Sequence, residues 1–132
     1  MNFIKNLFHR GKNPMVKSEE EIDVFDEETL FMYIFVREDM PPVIQLIQAA
    51  HATYTMGSLG NISKGAENVH FCVLGVKDEN ELKSVSFDLE RNDTLHYTFF
   101  EPDNDIGYTA IACEPMKGES RKWFRKFNLL KM

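Results

Sequence analysis

From residue 30 onward, apolar positions alternate between strand-like and helix-like spacing. Leu30 to Val36 is a continuous apolar run, which predicts a buried strand. Val43, Leu46, Ile47, Ala50 and Tyr54 then recur at helical spacing and form the apolar stripe of a predicted helix. Pro41-Pro42 opens it, because proline is tolerated in a first turn. Gly57 to Asn68 carries three glycines and two asparagines and reads as a loop. Val69 to Val76 is a second buried strand. Asp78 followed by Glu81 resembles a capping arrangement, and Leu82, Val85 and Leu89 continue as the stripe of a second helix. Leu95 to Phe100 and Tyr108 to Cys113 are two further strands. Between them, Pro102-Asp103-Asn104-Asp105 is turn chemistry. A last helix is expected over Arg121 to Phe127.

This order is β-α-β-α-β-β-α. Helical crossovers give parallel neighbours with right-handed connections. The short link from Phe100 to Tyr108 favours an antiparallel pair. Strands without polar alternation need cover on both faces. The expected fold is therefore α/β, a three-layer α/β/α sandwich around a four-stranded mixed sheet.

At 132 residues the chain fits one domain with a real core. The expected division is a charged N-terminal tail and linker over 1–29 and a compact domain over 30–132. Within the tail, Phe3, Ile4, Leu7 and Phe8 sit at helical spacing beside Lys5, His9 and Arg10; a surface-binding helix and a frayed end are the competing readings, and the shortness of the run favours the second. Ser18 to Thr29 is an acidic linker that resists packing by self-repulsion.

Charge sharpens the picture. The formal net charge is −6, but residues 1–17 carry +4, 18–29 carry −7, 30–116 carry −8 and 117–132 carry +5. An acidic body repels a nucleic-acid backbone over a Debye length, about 10 Å in ordinary buffer. A polyanion would have to meet one of the basic ends. No apolar run approaches the length of a membrane span. Met1 to Lys12 lacks a continuous apolar core and a small-residue cleavage site, so the expected location is cytoplasmic. Cys72 and Cys113 sit in strand-like runs and read as buried, reduced thiols rather than a disulfide or metal ligands.

Candidate chemistry concentrates in Gln48-Ala49-Ala50-His51-Ala52. Gln48 and His51 are three residues apart, so on a helix they share a face and reach a common ligand. No lysine lies between Arg37 and Lys64, so a site here has neutral polar groups and no fixed cation. Asp39 reads as a cap for the Pro41 helix. Asp103 and Asp105 read as a solvated turn rather than a metal site. Arg121, Lys122, Arg125 and Lys126 interleave with Trp123, Phe124 and Phe127. That pattern suits an RNA end held by charge and stacking, but an amphipathic segment with aromatics in the core and cations in water is the preferred reading.

Together these pieces resemble the type 2 (archaeal and eukaryotic) peptidyl-tRNA hydrolase family, in particular its divergent domain-containing branch. Val36-Arg37-Glu38-Asp39 looks like the family's strand ending in Arg-x-Asp. Gln48-Ala49-Ala50-His51-Ala52 is similar to its Gln-x-Ala-His-Ala helix. Thr109-Ala110-Ile111-Ala112 with Pro115 resembles its last strand, and Lys126-Phe127-Asn128-Leu129-Leu130-Lys131 its ending. The resemblance spans roughly residues 30 to 131. It implies cleavage of the ester joining a peptide to the tRNA 3′ ribose, a reaction that needs an activated water and stabilisation of the oxyanion on the ester carbonyl. The catalytic set it implies is His51 and Gln48 on the helix with Glu101 or Asp103 and Thr109 opposite, without metal or cofactor.

The sequence departs from the family where the family places its lysine. The Met40 to Ile44 loop is shorter, prolines replace glycines, and Val43 or Ile44 falls at the lysine position. Pro41 and Pro42 have no N–H to offer a phosphate. Asp103-Asn104-Asp105-Ile106-Gly107 replaces the family's Gly-x-Thr-Gln segment. Losing an oxyanion-stabilising cation typically costs several kcal/mol, which argues against family-level catalysis. The alternative is a non-catalytic module whose pocket, between the Pro41 loop, His51 and the Asp103 turn, binds or sequesters a nucleotide-like small molecule or a protein partner, as a viral inhibitor of a host process would. The expected partners are peptidyl-tRNA or such a small molecule, with a protein segment or a second copy of the chain as further candidates. An adaptor acting through Met1 to Arg10 is a third reading.

Overall fold

The structure, a computed structural model, describes residues 28–59 and 69–132. The expectations for Met1 to Arg10, and for the linker and loop residues outside those ranges, lie outside the described residues. Four strands, β1 (Phe31–Arg37), β2 (His70–Val76), β3 (His96–Glu101) and β4 (Gly107–Cys113), form one sheet in the order β2-β1-β4-β3. Two α-helices connect them, α1 (Pro42–Ser58) and α2 (Glu79–Arg91).

β1 pairs parallel with β2 and antiparallel with β4, and β3 pairs antiparallel with β4. The sheet is thus mixed, with β1, β2 and β3 running one way. The second crossover does not place β3 beside β2, as a run of parallel neighbours would. It carries the chain across the sheet to the far edge, and β4 fills the space between β1 and β3. The outer edge of β2 is closed by the C-terminal residues: Gly75 N–H donates to Asn128 O and Leu130 N–H to Val73 O. That pairing satisfies an edge that would otherwise present bare backbone.

β1 lies at the centre and is buried along Met32, Tyr33, Ile34, Phe35 and Val36. Successive residues point to opposite faces. Tyr33 and Phe35 join Leu74, Val76, Ile111 and Cys113 under α2, whose Leu82, Val85 and Leu89 are all but fully buried. Met32, Ile34 and Val36 join Ala110 and Ala112 under α1. Helices therefore cover both faces. The start of α2 is set as its sequence suggests: Asp78 Oδ1 accepts from Glu81 N–H at 3.0 Å. Glu81 reaches back one residue beyond the cap, to Lys77 N–H.

Four expectations need correction, three of them local. The C-terminal segment is a 3-10 helix over Gly118–Lys126, not an α-helix over Arg121 to Phe127. Its aromatics decide its shape: Phe124 stacks on Tyr33 at 4.1 Å, and Trp123 and Phe127 pack edge-on around Phe35. Asp39 does not cap α1, whose N-cap is Pro41 with no side-chain bond; it takes Arg37 instead. Gly57 and Ser58 belong to α1 rather than to the following loop.

The largest departure is the phase of α1. The expected stripe faces outward: Val43 is 63% exposed, Leu46 62%, Ile47 45% and Tyr54 79%, and Ala50 is exposed too. The buried positions are Gln45, Gln48, Ala52 and Met56. At roughly 100° per residue the two sets lie on opposite sides of the helix. Small Ala110 and Ala112 on β4 admit the helix backbone closely where Ala52 and Met56 meet them. Hydrogen bonds from Gln48 then hold the rotation.

Candidate functional site

The candidate residues gather at the end of the sheet where β1 and β3 stop and β4 begins. Gln48 is 3% exposed and Thr109 fully buried. Thr109 Oγ1 donates to Gln48 Oε1 at 2.7 Å. Gln48 Nε2 donates to Glu101 Oε1 at 2.9 Å. Glu101 Oε2 accepts from Asp103 N–H at 3.3 Å. One relay therefore runs from the start of β4 through the second turn of α1 to the end of β3. Phe99 and Glu101, two apart on β3, share the sheet face that α1 covers. The β3–β4 pairing passes from Phe99–Ala110 to Phe100–Tyr108, and this bulge skips Thr109 and turns it to that same face beside Ala110.

His51 lies one turn beyond Gln48 and is exposed. Its ring stacks on Phe99 at 4.6 Å with planes 3° apart. Asp103 contributes its backbone N–H, and its carboxyl stays exposed. The Glu101 carboxyl is held below the usual carboxylate range by Gln48's hydrogen bond first, then Asp103's N–H, with the charge of His51 contributing. A carboxylate held down in this way is present as the anion near neutrality and is a weakened base.

The neighbouring cation is committed elsewhere. Arg37 spans both Asp39 oxygens at 2.9 and 3.0 Å and donates to the carbonyls of Ile106 and Tyr108 at 2.7 and 3.0 Å. Asp39 is also the main reason its guanidinium is held above its ordinary value. Its task is to tie the end of β1 to the turn before β4. The turn is closed from the other side too, by Tyr108 N–H to Glu79 Oε2 at 2.9 Å. Gly107, at φ +85°, is needed there, because a Cβ would collide with the Glu79 carboxyl.

Behind this end of the sheet, outside β1 and β2, lies a cleft of about 420 Å³. Its position follows from topology. β1 and β2 are adjacent and parallel, but their connections leave to opposite faces, β1 into α1 and β2 into α2. Open α/β sheets form their ligand crevice at such a switch point. Lys77, Lys126, Lys131, Glu38, Asp39 and Glu81 line it with Phe127.

The acids are already engaged. Glu38 Oε2 accepts Lys131 N–H at 3.0 Å and lies against Gly75, Asp39 holds Arg37, and Glu81 accepts Lys77 N–H. The Lys126 ammonium rests over Trp123 at 4.6 Å and Phe127 at 5.5 Å. Among the described residues Lys77 and Lys131 form no ion pair.

Sequence reasoning singled out Gln48, His51, Glu101, Asp103 and Thr109, and the first, third and last are joined directly. It missed the crevice, because Lys77, Lys126 and Lys131 come from two distant segments. The usable signal was the basic C-terminal segment, one of the two ends a polyanion would have to meet, but nothing in the sequence set Lys77 opposite it. It also missed Gln45, which is 2% exposed and whose Oε1 meets no donor among the described residues. Among the described residues no cluster of three or more His, Cys, Asp or Glu side chains is placed to hold a metal, and no helix is long and apolar enough to cross a membrane. No protein-family model matches the chain, and no curated protein matches it.

Proposed function

We propose that this protein is a non-catalytic binding module for a phosphate-bearing, nucleotide-like small molecule, held in the crevice outside β1 and β2. The observation that carries this reading is the asymmetry of charge in the crevice: its carboxylates accept from backbone N–H groups and Arg37, whereas Lys77 and Lys131 line it and form no ion pair among the described residues. A ligand phosphate takes those two cations. The remaining lone pairs of Glu38 and Asp39 accept from hydroxyl groups such as a sugar diol. Phe127 offers a ring to a base. The volume suits a ligand of this size.

The same physical argument weighs against ester hydrolysis. Gln48 spends its amide N–H on Glu101, and an anionic carboxylate is the wrong charge beside a developing oxyanion. Hydrolysis of peptidyl-tRNA remains the second reading, favoured by the convergence of Gln48, Glu101 and Thr109 beside His51.

Calorimetry of the full chain against mononucleotides and cyclic nucleotides tests the first reading, with Lys77→Ala/Lys131→Ala as control. The expected result is saturable binding that the double variant weakens at least tenfold. Binding of equal strength in wild type and variant would reject the crevice. A hydrolysis assay on N-blocked aminoacyl-tRNA tests the second: turnover that His51→Ala and Glu101→Gln abolish would replace the first reading by the second.

A further inference from the structure

Helix α1 is amphipathic with its faces exchanged. Polar Gln45 and Gln48 face the sheet, and Val43, Leu46, Ile47, Ala50 and Tyr54 face out. Single exposed apolar residues are ordinary, but a whole stripe on one helix marks a surface that is covered in use. The helix contains no charged residue: no acid in its first turn, no base in its last, and only His51 as a titratable group apart from Tyr54.

Three features bear on what covers it. A membrane surface fits poorly. Interfacial helices set cations opposite their apolar face, whereas here that opposite face is uncharged and buried on the sheet, in a protein of net charge −6. A charged partner peptide also finds no counter-charge on the helix.

A copy of the same face fits well. Written as a heptad, Val43, Ala50 and Gly57 take the a position, Leu46 the d position, and Ile47 and Tyr54 the e position. In an antiparallel pair with its twofold axis at Ala50, Leu46 of one copy meets Tyr54 of the other, and Val43 meets Gly57. Large residues oppose small or flat ones, Ala50 lets the helices approach at the axis, and no like charges face each other.

We infer that the outer face of α1 is an isologous interface, and that its occupant is a second copy of this chain packed antiparallel about Ala50. Covering these side chains on both copies removes on the order of 1,000 Å² of surface, the lower limit for a specific interface, so the dimer is concentration-dependent rather than obligate. This interface is separate from the crevice, and neither stands or falls with the other.

Sedimentation velocity on the full chain over about 5–500 μM tests it. The expected result is a shift from monomer to dimer across that range, with Leu46→Glu raising the apparent dissociation constant at least tenfold. Circular dichroism checks that the variant keeps its fold, as position 46 is 62% exposed. Ala50→Cys supplies a second reading: mild oxidation should give a disulfide-linked dimer, because only residues near a twofold axis bring identical Cβ atoms within bonding reach. Glu90→Cys, exposed on α2, should not cross-link. A monomer throughout the range, a dimer indifferent to Leu46→Glu, or equal cross-linking from both positions would overturn the inference. So would binding to anionic vesicles by a chain that stays monomeric.

Discussion

The relay from Thr109 through Gln48 to Glu101 makes a quantitative prediction about coupling. Thr109→Val is close to isosteric and removes the donor to Gln48 Oε1 in a place where neither partner meets water. The orphaned carbonyl costs about 1–3 kcal/mol. Gln48→Leu leaves the Thr109 hydroxyl without its acceptor and frees Glu101 to bond to solvent, again at about 1–3 kcal/mol, less what the added apolar burial returns. The double variant has no orphan in the Thr109–Gln48 pair, so it should lose less than the two singles together, by about 1 kcal/mol.

Urea unfolding followed by the fluorescence of Trp123, the single tryptophan, reads all four corners of this cycle. The Gln48→Leu corner carries an independent signature in pH. Glu101 has a folded-state pKa below its unfolded value, so its contribution is present above the unfolded pKa and is lost as pH falls through the folded one. Removing Gln48 takes away the main cause of the depression and should flatten that acid-side loss. Additivity within about 0.3 kcal/mol, together with an unchanged acid limb, would refute the claim that the relay is a coupled unit.

Three further outcomes are expected. Gln45→Leu should raise stability by about 1 kcal/mol in the same urea assay, since it removes a buried carbonyl with no donor among the described residues; a loss of that size would mean the oxygen is satisfied. Gly75→Ala should push the Glu38 carboxyl away from β2 and break its bond to Lys131 N–H, detaching the C-terminal residues; faster hydrogen exchange at Leu130 and Lys131 reads this, and unchanged protection would count against it. Burial pushes the Cys113 thiol up, so iodoacetamide should modify half-buried Cys72 first in the native state, with Cys113 following only on unfolding, as peptide mapping by mass spectrometry would report.

Much of the strand and helix order was legible in the sequence, because each element declares its own period. β1 is apolar from Phe31 to Val36 and is buried on both faces. The stripe Leu82, Val85, Leu89 of α2 packs where its spacing says, and its Asp78 cap is a purely local bond. The polar residues Gln48, Glu101 and Thr109 were also identifiable, through their place in a family-like pattern. That they touch was not, since it depends on β4 inserting between β1 and β3.

Periodicity alone determined which residues of α1 share a face; it could not determine which face is turned inward. Side-chain transfer free energy by itself favours burying Val43, Leu46 and Ile47. In the folded protein the alanines of β4, the acceptor needed by Thr109 and the donor needed by Glu101 favour the opposite rotation. The crevice likewise exists only in three dimensions, where two parallel strands send their connections to opposite faces and the C-terminal lysines close the third side. Local sequence sets the period of each element, whereas the partner across the interface sets its phase, because unpaired polar groups cost as much in the interior as apolar ones do in water.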